Sequence, residues 1–271
     1  MKLTTIIPIH EMNEELSTLF IKALESVVGQ KKYNVKDNLT ILIPVAPAAV
    51  DEVNKVVAEY SDQATIEVVT NTEDTSFQGQ INFAAKKVES EYFTILEFDD
   101  EISETYYYNV AKHAKHYGNV DVFLPIIIES NNEDKAIKLT NETCWSRSFV
   151  GENGEIGYLN ADALNQYTDF KICGSILKTE EFINSGMLKT NIELTFQYEF
   201  LLRMIMNGSN VYIIPKIGCK HLVTREGSLF DRYSKTLTLK ERQFWFNTAK
   251  KEANFPSDRE IDTSELLSVA E

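Results

Sequence analysis

The feature that most constrains this sequence is residues 91–101, which read EYFTILEFDDE. The first part is short, apolar and rich in β-branched and aromatic residues, which predicts a buried strand. Four acidic residues follow it: Glu97, Asp99, Asp100 and Glu101. Because ligands bind outside the carboxyl ends of parallel strands, and hard oxygen ligands suit Mg²⁺ or Mn²⁺, the cluster predicts a cation site that also holds phosphate. The alternative interpretation is a solvated acidic turn.

Strand-like and helix-like segments alternate along the chain. This alternation predicts a mainly parallel sheet with helices on both faces. No regular period is visible over residues 136–169. The predicted strands cover residues 3–9, 39–45, 65–70, 92–96, 121–128, 170–177, 211–214 and 217–222, and the later helices cover residues 104–117, 192–206 and 238–255.

The composition of the 271-residue chain argues against several classes of function. The net charge of -14 argues against broad electrostatic binding to nucleic acid or to an anionic membrane. It also argues against a diphosphate site without a metal ion. No apolar run approaches the roughly 20 residues of a membrane-spanning helix. The three cysteines are far apart and lack metal-binding spacing, so we expect reduced thiols and a cytoplasmic location.

Three blocks of the sequence together resemble the family-2-type glycosyltransferases of the GT-A fold. The first is ALESVVGQ at residues 23–30, after an opening strand that contains Ile-Ile-Pro. The second is residues 82–100, in which Glu97 stands at the first position of the family's Asp-x-Asp-Asp motif. The third, residues 198–221, begins with YEFLLR and ends with a Lys-His pair. The resemblance covers most of residues 1–228.

The resemblance implies a fold and a reaction. We expect an α/β GT-A domain over residues 1–228, with a mixed, mainly parallel sheet, and a C-terminal helix with an acidic tail over residues 229–271. The implied function is metal-dependent, inverting transfer of a sugar from a nucleotide-diphosphate sugar donor to an acceptor hydroxyl. The cofactor would be Mn²⁺ or Mg²⁺. The acceptor stays open among a glycan, a small molecule, a protein and a modified nucleic acid.

The resemblance also assigns candidate site residues. Metal ligands are expected at Glu97, Asp99 and His221. Substrate contacts are expected at Pro8, His10 and Glu11 beside the nucleobase, at Arg225 and Ser228 beside the diphosphate, and at Asn82 and Asp100.

Three departures from the family pattern alter these expectations. The second strand lacks an acid until Asp51, and the glycine expected before residue 82 is displaced to Gly79. Gln197 stands where an acidic general base is expected, and a neutral amide cannot accept the proton. Glu199 or Glu193 could substitute, and Glu193 would share a helix face with residue 197. The alternative function is a GT-A-like binding or structural module without turnover.

Overall fold

The structure is a computed structural model that describes residues 1–142, 156–192, 194–223 and 225–254. Its strands are β1 (Leu3–Ile6), β2 (Leu39–Val45), β3 (Thr65–Thr70), β4 (Tyr92–Ile95), β5 (Glu101–Ile102), β6 (Val122–Ser130), β7 (Ala136–Thr140), β8 (Ile176–Lys178) and β9 (Val211–Leu222). Its helices are α1 (Glu14–Val28), α2 (Val35–Asn38), α3 (Val50–Val57), α4 (Phe77–Ala85), α5 (Tyr106–His116), α6 (Ala161–Gln166), α7 (Thr179–Asn184), α8 (Phe196–Met206), α9 (Leu229–Thr236) and α10 (Leu239–Asn254).

The strands form one mixed sheet in the order β3-β2-β1-β4-β8-β6-β9-β5, and β7 pairs with β6. The strands β3, β2, β1 and β4 are parallel, as the alternation of strands and helices predicts. β8 lies antiparallel between β4 and β6, whereas β6 and β9 are parallel to each other. The predicted mixed, mainly parallel sheet is therefore confirmed.

Helix α1 illustrates how the sequence pattern produces the packing on one face of the sheet. The Asn13 side chain caps α1 by accepting a hydrogen bond from the Leu16 backbone N–H. The buried side chains Phe20, Leu24 and Val27 recur at helical spacing and belong to the same core cluster as the strands beneath them. The other sheet face is covered by residues from α4, α6, α7, α8 and α10.

Three predicted strands differ from the structure in the second half of the chain. Of the strand predicted over residues 170–177, only Ile176 and Leu177 are extended, in β8, because Gly174 adopts a positive φ of 66°. The two strands predicted around Pro215 form one strand, β9. The pairing of β9 with β6 passes from Ile214 directly to Ile217, so Pro215 lies in a bulge where its missing N–H is tolerated.

The helix predicted over residues 192–206 begins at Phe196, and the last helix is close to its predicted bounds. Thr238 and Glu241 form the predicted capping box before α10. α10 packs against α8 and buries Ala249 completely. Within the described part of the chain, no helix is both long and apolar enough to cross a membrane.

Candidate active site

The candidate site is a cavity of about 330 Å³ at the carboxyl ends of β1 and β4. Pro8 and His10 line it from the segment after β1, and Glu97 and Asp99 line it from the segment after β4. The volume lies in the range of small-molecule sites. These residues meet because β1 and β4 are parallel neighbours that end at the same edge of the sheet. The resemblance had assigned them to one donor site, with Pro8 and His10 beside the nucleobase and Glu97 and Asp99 as metal ligands.

Asp99 forms an ion pair inside this cavity. Its Oδ2 accepts a hydrogen bond from Arg225 Nε at 2.6 Å, and the Arg225 guanidinium lies 5.2 Å from the centre of the Phe98 ring. Burial raises the pKa of Asp99, the neighbouring Asp100 carboxylate raises it further, and Arg225 only partly opposes both effects. The arginine that the sequence assigned to the diphosphate therefore neutralises a predicted metal ligand.

Glu97 and His221, the other two predicted metal ligands, lie close together. One ligand atom from each, and one from Asp100, all lie within 4.8 Å of one another. Burial and the Asp100 carboxylate raise the pKa of Glu97 to about 7. Burial lowers the pKa of His221, but the attraction of Asp100 prevails and raises it to about 9. Carboxylate oxygens with one imidazole form a donor set that Mn²⁺ accepts, so Glu97, Asp100 and His221 fit a divalent cation, whereas the predicted ligand Asp99 is not part of this close group.

Asp100 lies next to Glu97 and His221 but does not itself line the cavity. Its buried carboxylate accepts hydrogen bonds from His221 Nδ1 at 2.8 Å, from the Leu222 N–H at 2.9 Å and from the Cys173 thiol at 2.8 Å. Cys219 lies beside Cys173, and their sulfur atoms lie within 4.8 Å of the same carboxylate. Asp100 thus orients His221, whereas the sequence assigned Asp100 to a substrate contact.

Three basic side chains line the cavity although the whole chain is acidic. They are Lys171, Arg225 and Arg232. The net charge led us to expect no diphosphate site without a metal, but in this cavity the three basic side chains outnumber the two carboxylates, Glu97 and Asp99. The sequence analysis missed Arg232, although it lies close to Arg225 in the chain. No motif marked Lys171, which the analysis placed in a strand.

Two further predicted substrate contacts, Asn82 and Glu11, lie outside the cavity lining, as Asp100 does. Asn82 stabilises the backbone after α7 through two hydrogen bonds. Its Nδ2 donates to the Leu188 carbonyl, and its Oδ1 accepts from the Leu188 N–H. Glu11 is exposed and lies 3.3 Å from His10 Nε2. Burial is the main cause that lowers the pKa of His10, and Glu11 only partly offsets it. Ser228, in contrast, does line the cavity, as expected.

The structure separates the two candidates for a base on α8. Gln197 lines the cavity, and its Oε1 accepts a hydrogen bond from the Ile172 N–H at 2.9 Å. Glu199 is completely buried away from the cavity and binds Arg203 Nε at 2.6 Å and Nη2 at 3.1 Å. Arg203 also donates to the Ser185 and Met187 carbonyls, so it joins α8 to the end of α7.

Glu193, the other candidate base, lies outside the described residues. The next residue in the chain, Leu194, lines the cavity. Leu194 also lines a second cavity of about 230 Å³, and Lys171 and Gln197 belong to both linings. The second cavity additionally contains Asp169 and Phe246. The two cavities therefore meet at a shared wall.

Solved structures with a similar fold include TarS from S. aureus. The structure of its residues 1–349 in complex with UDP-GlcNAc aligns with a TM-score of 0.66 at 14% identity, covering 93% of this chain and 66% of that one. The complex of the same segment with UDP gives a TM-score of 0.61 at 13% identity, with 91% and 78% covered. This chain corresponds to 43% of a longer TarS structure. These alignments confirm the predicted GT-A fold.

The sequence comparisons give the family. No curated protein shows significant sequence similarity to this chain. The family described as glycosyl transferase family 2 matches residues 4–177, which include β1, β4 and the acidic segment after β4. That match extends over more than half of the chain and ends within β8. The protein therefore belongs to glycosyl transferase family 2.

Proposed function

We propose that this chain transfers a sugar from a uridine-diphosphate sugar to an acceptor hydroxyl, with a divalent cation and with inversion at the anomeric carbon. The observation that supports it is one cavity in which Glu97 and Asp99 face Arg225 and Arg232. Arginine side chains bind phosphate oxygens, and carboxylates hold the cation that shares those oxygens. The TarS complexes with UDP-GlcNAc and UDP support uridine as the nucleoside.

The cation would be held by Glu97, Asp99 and His221, and it would be Mn²⁺ or Mg²⁺. When bound, it supplies a Lewis acid that stabilises the leaving diphosphate. Asp100 holds Nδ1 of His221, which leaves Nε2 as the ring nitrogen for the ion. The Asp99–Arg225 pair has to separate for this, and a diphosphate provides the anion that Arg225 would bind instead.

The other candidate residues have positions consistent with donor binding. Ser228 and Arg232 lie on the side of the cavity formed by the segment after β9, where they would join Arg225 at the diphosphate. Pro8 and His10 line the cavity from the segment after β1, and His10 lies near enough to Arg225 and Arg232 for their charges to help lower its pKa. Burial keeps the pKa of His10 below its usual value, so the imidazole is neutral at physiological pH and acts as a neutral hydrogen-bonding group.

Nucleotide binding gives the direct test of this function. We expect UDP or UDP-GlcNAc with Mn²⁺ to raise the midpoint of thermal unfolding, and we expect EDTA to remove the increase. A ligand that binds only the folded state stabilises it by about 2.7 kcal/mol at 100 times its Kd. ADP with Mn²⁺ is the control for the base. The proposal fails if no nucleoside diphosphate shifts the midpoint in the presence of Mn²⁺.

The proposed general base is Glu193, because Glu199 is occupied by Arg203 in the core. Glu193→Gln should lower kcat by about 10²–10⁴-fold, since proton transfer is made only in the transition state, and should leave donor affinity unchanged. Steady-state transfer assays and donor titration measure the two quantities. Glu180→Gln on the exposed surface of α7 is the matched control. Full activity of Glu193→Gln would remove this residue from the mechanism.

A binding module without turnover is the second candidate function. It is favoured by Gln197, a neutral amide that the Ile172 N–H holds at the position expected for the base. Such a module would bind UDP-GlcNAc without releasing UDP, even over long incubation. Gln197→Asp would then introduce donor hydrolysis if the cation site is intact. Transfer or hydrolysis by the unmodified chain would exclude the module.

A further inference from the structure

The same dipeptide, Phe-Gln, begins two helices whose first residues line the cavity. Phe77 and Gln78 are the first residues of α4, and Phe196 and Gln197 are the first residues of α8. The centres of the two phenyl rings lie 5.6 Å apart, and all four residues line the cavity. This ring contact brings the N-terminal ends of α4 and α8 together, and both glutamines line the cavity beside it.

Backbone partners fix the orientation of both amides. Gln78 Nε2 donates to the Ile192 carbonyl at 3.0 Å, so its Oε1 is left as an acceptor. Gln197 Oε1 accepts from the Ile172 N–H at 2.9 Å, so its Nε2 is left as a donor. Exchanging oxygen and nitrogen would break either contact, because a carbonyl accepts only and an N–H donates only. Neither remaining atom has a hydrogen-bond partner among the described residues.

We propose that this arrangement recognises an acetamido group on the donor sugar. The acetamido N–H would donate to Gln78 Oε1, its carbonyl would accept from Gln197 Nε2, and its methyl group would pack on Phe77 and Phe196. The proposal rests on the function proposed above, since it requires a nucleotide-sugar donor in this cavity. It also gives Gln197 a role in substrate selection at a position where an acid was expected.

An acetamido group fits this site better than a hydroxyl group for two reasons. The polarity of an amide is fixed, so its N–H matches the free acceptor of Gln78 and its separate carbonyl matches the free donor of Gln197, whereas a hydroxyl has to donate and accept through one oxygen atom. A hydroxyl also has no methyl group to pack on Phe77 and Phe196. A buried glutamine amide that loses its hydrogen-bond partner weakens binding further. Gln78, which is only 4% exposed, is the more sensitive of the two amides.

The experiment compares UDP, UDP-GlcNAc and UDP-glucose by calorimetric titration with Mn²⁺. The unmodified chain should bind UDP-GlcNAc about tenfold or more tightly than UDP-glucose, as expected for two hydrogen bonds. Gln78→Met and Gln197→Met should each reduce this preference about fivefold and leave UDP affinity unchanged. Gln80→Met is the matched control, because Gln80 is a buried amide of α4 that binds the Ile9 carbonyl and does not line the cavity.

The outcomes distinguish this inference from the function on which it rests. Absence of UDP binding would overturn the proposed function and the acetamido site together. UDP binding with equal affinities for the two sugars, or a preference that both Met variants retain, would overturn the acetamido site alone. Gln197→Glu is a second variant that should fold normally, because its carboxylate still accepts the hydrogen bond from the Ile172 N–H. It replaces the amide donor with a second acceptor. It should lose the preference more completely than Gln197→Met.

Discussion

Two arginine–carboxylate pairs of this protein have the same Nε–oxygen distance and different surroundings, one fully buried and one partly buried. Arg203 Nε lies 2.6 Å from Glu199, and Arg225 Nε lies 2.6 Å from Asp99. The first pair, Arg203–Glu199, is buried in the core between α8 and the end of α7. The second lines a cavity and joins segments that are 126 positions apart in the chain.

The difference lies in what can replace each partner. Neither a ligand nor water reaches Glu199, so its pair has to persist while the protein is folded. A diphosphate can replace Asp99 as the partner of Arg225, and a cation can replace Arg225 as the partner of Asp99. The core pair is therefore expected to govern stability, and the cavity pair is expected to govern binding.

Glu199→Gln should cause the largest change in stability. It leaves the Arg203 guanidinium buried without a carboxylate, a loss that typically costs about 3–5 kcal/mol. Chemical denaturation measures the free energy of unfolding. Glu52→Gln, which breaks the exposed pair with Lys55 on α3, is the control and should cause no measurable change. A stable Glu199→Gln variant that lacks transfer activity would instead assign Glu199 to the chemistry.

Asp99→Asn should change binding and leave the fold intact. Loss of a metal ligand should weaken Mn²⁺-dependent binding of UDP at least about 100-fold. Replacing a residue that only hydrogen-bonds to a metal ligand already lowers metal affinity about 10- to 100-fold. Stability without metal should stay equal or rise, because the variant relieves repulsion from Asp100. Titration of UDP at several Mn²⁺ concentrations measures the effect, and Asp51→Asn is the exposed control. Unchanged Mn²⁺ dependence would exclude Asp99 as a ligand.

Arg225→Met should have the smallest effect of the three. It removes a charge-assisted hydrogen bond to the diphosphate, which corresponds to about a tenfold loss of UDP affinity. The free energy of unfolding should change little, whereas Arg203→Met should destabilise the fold strongly. Lys220→Met is the control, since Lys220 pairs with Glu101 and Asp134 outside the cavity lining. Similar destabilisation by the two arginine substitutions would contradict the comparison.

The sequence predicts the first half of the fold well because its signals there are local. Apolar β-branched runs mark β1 to β4, and their alternation with helices leaves few possible topologies. The same reasoning places Glu97 and Asp99 at the edge where the cavity opens.

The remaining features depend on contacts between distant segments. Residues 170–175 have an apolar composition typical of a strand, but Gly174 turns the chain and brings Cys173 to Asp100. Lys171 reaches the cavity through the same turn. The role of Gln78 becomes visible only when α4 and α8 meet, because nothing in its own helix indicates that Ile192 orients the amide.

The shared wall of the two cavities has a kinetic consequence. Lys171, Leu194 and Gln197 contribute to both linings, so a molecule in one cavity changes the surface offered to a molecule in the other. Such coupling is reciprocal at equilibrium: if the first ligand tightens binding of the second, the second tightens binding of the first by the same factor. Two-substrate kinetics should accordingly deviate from independent binding, with initial-rate lines that intersect away from the axes.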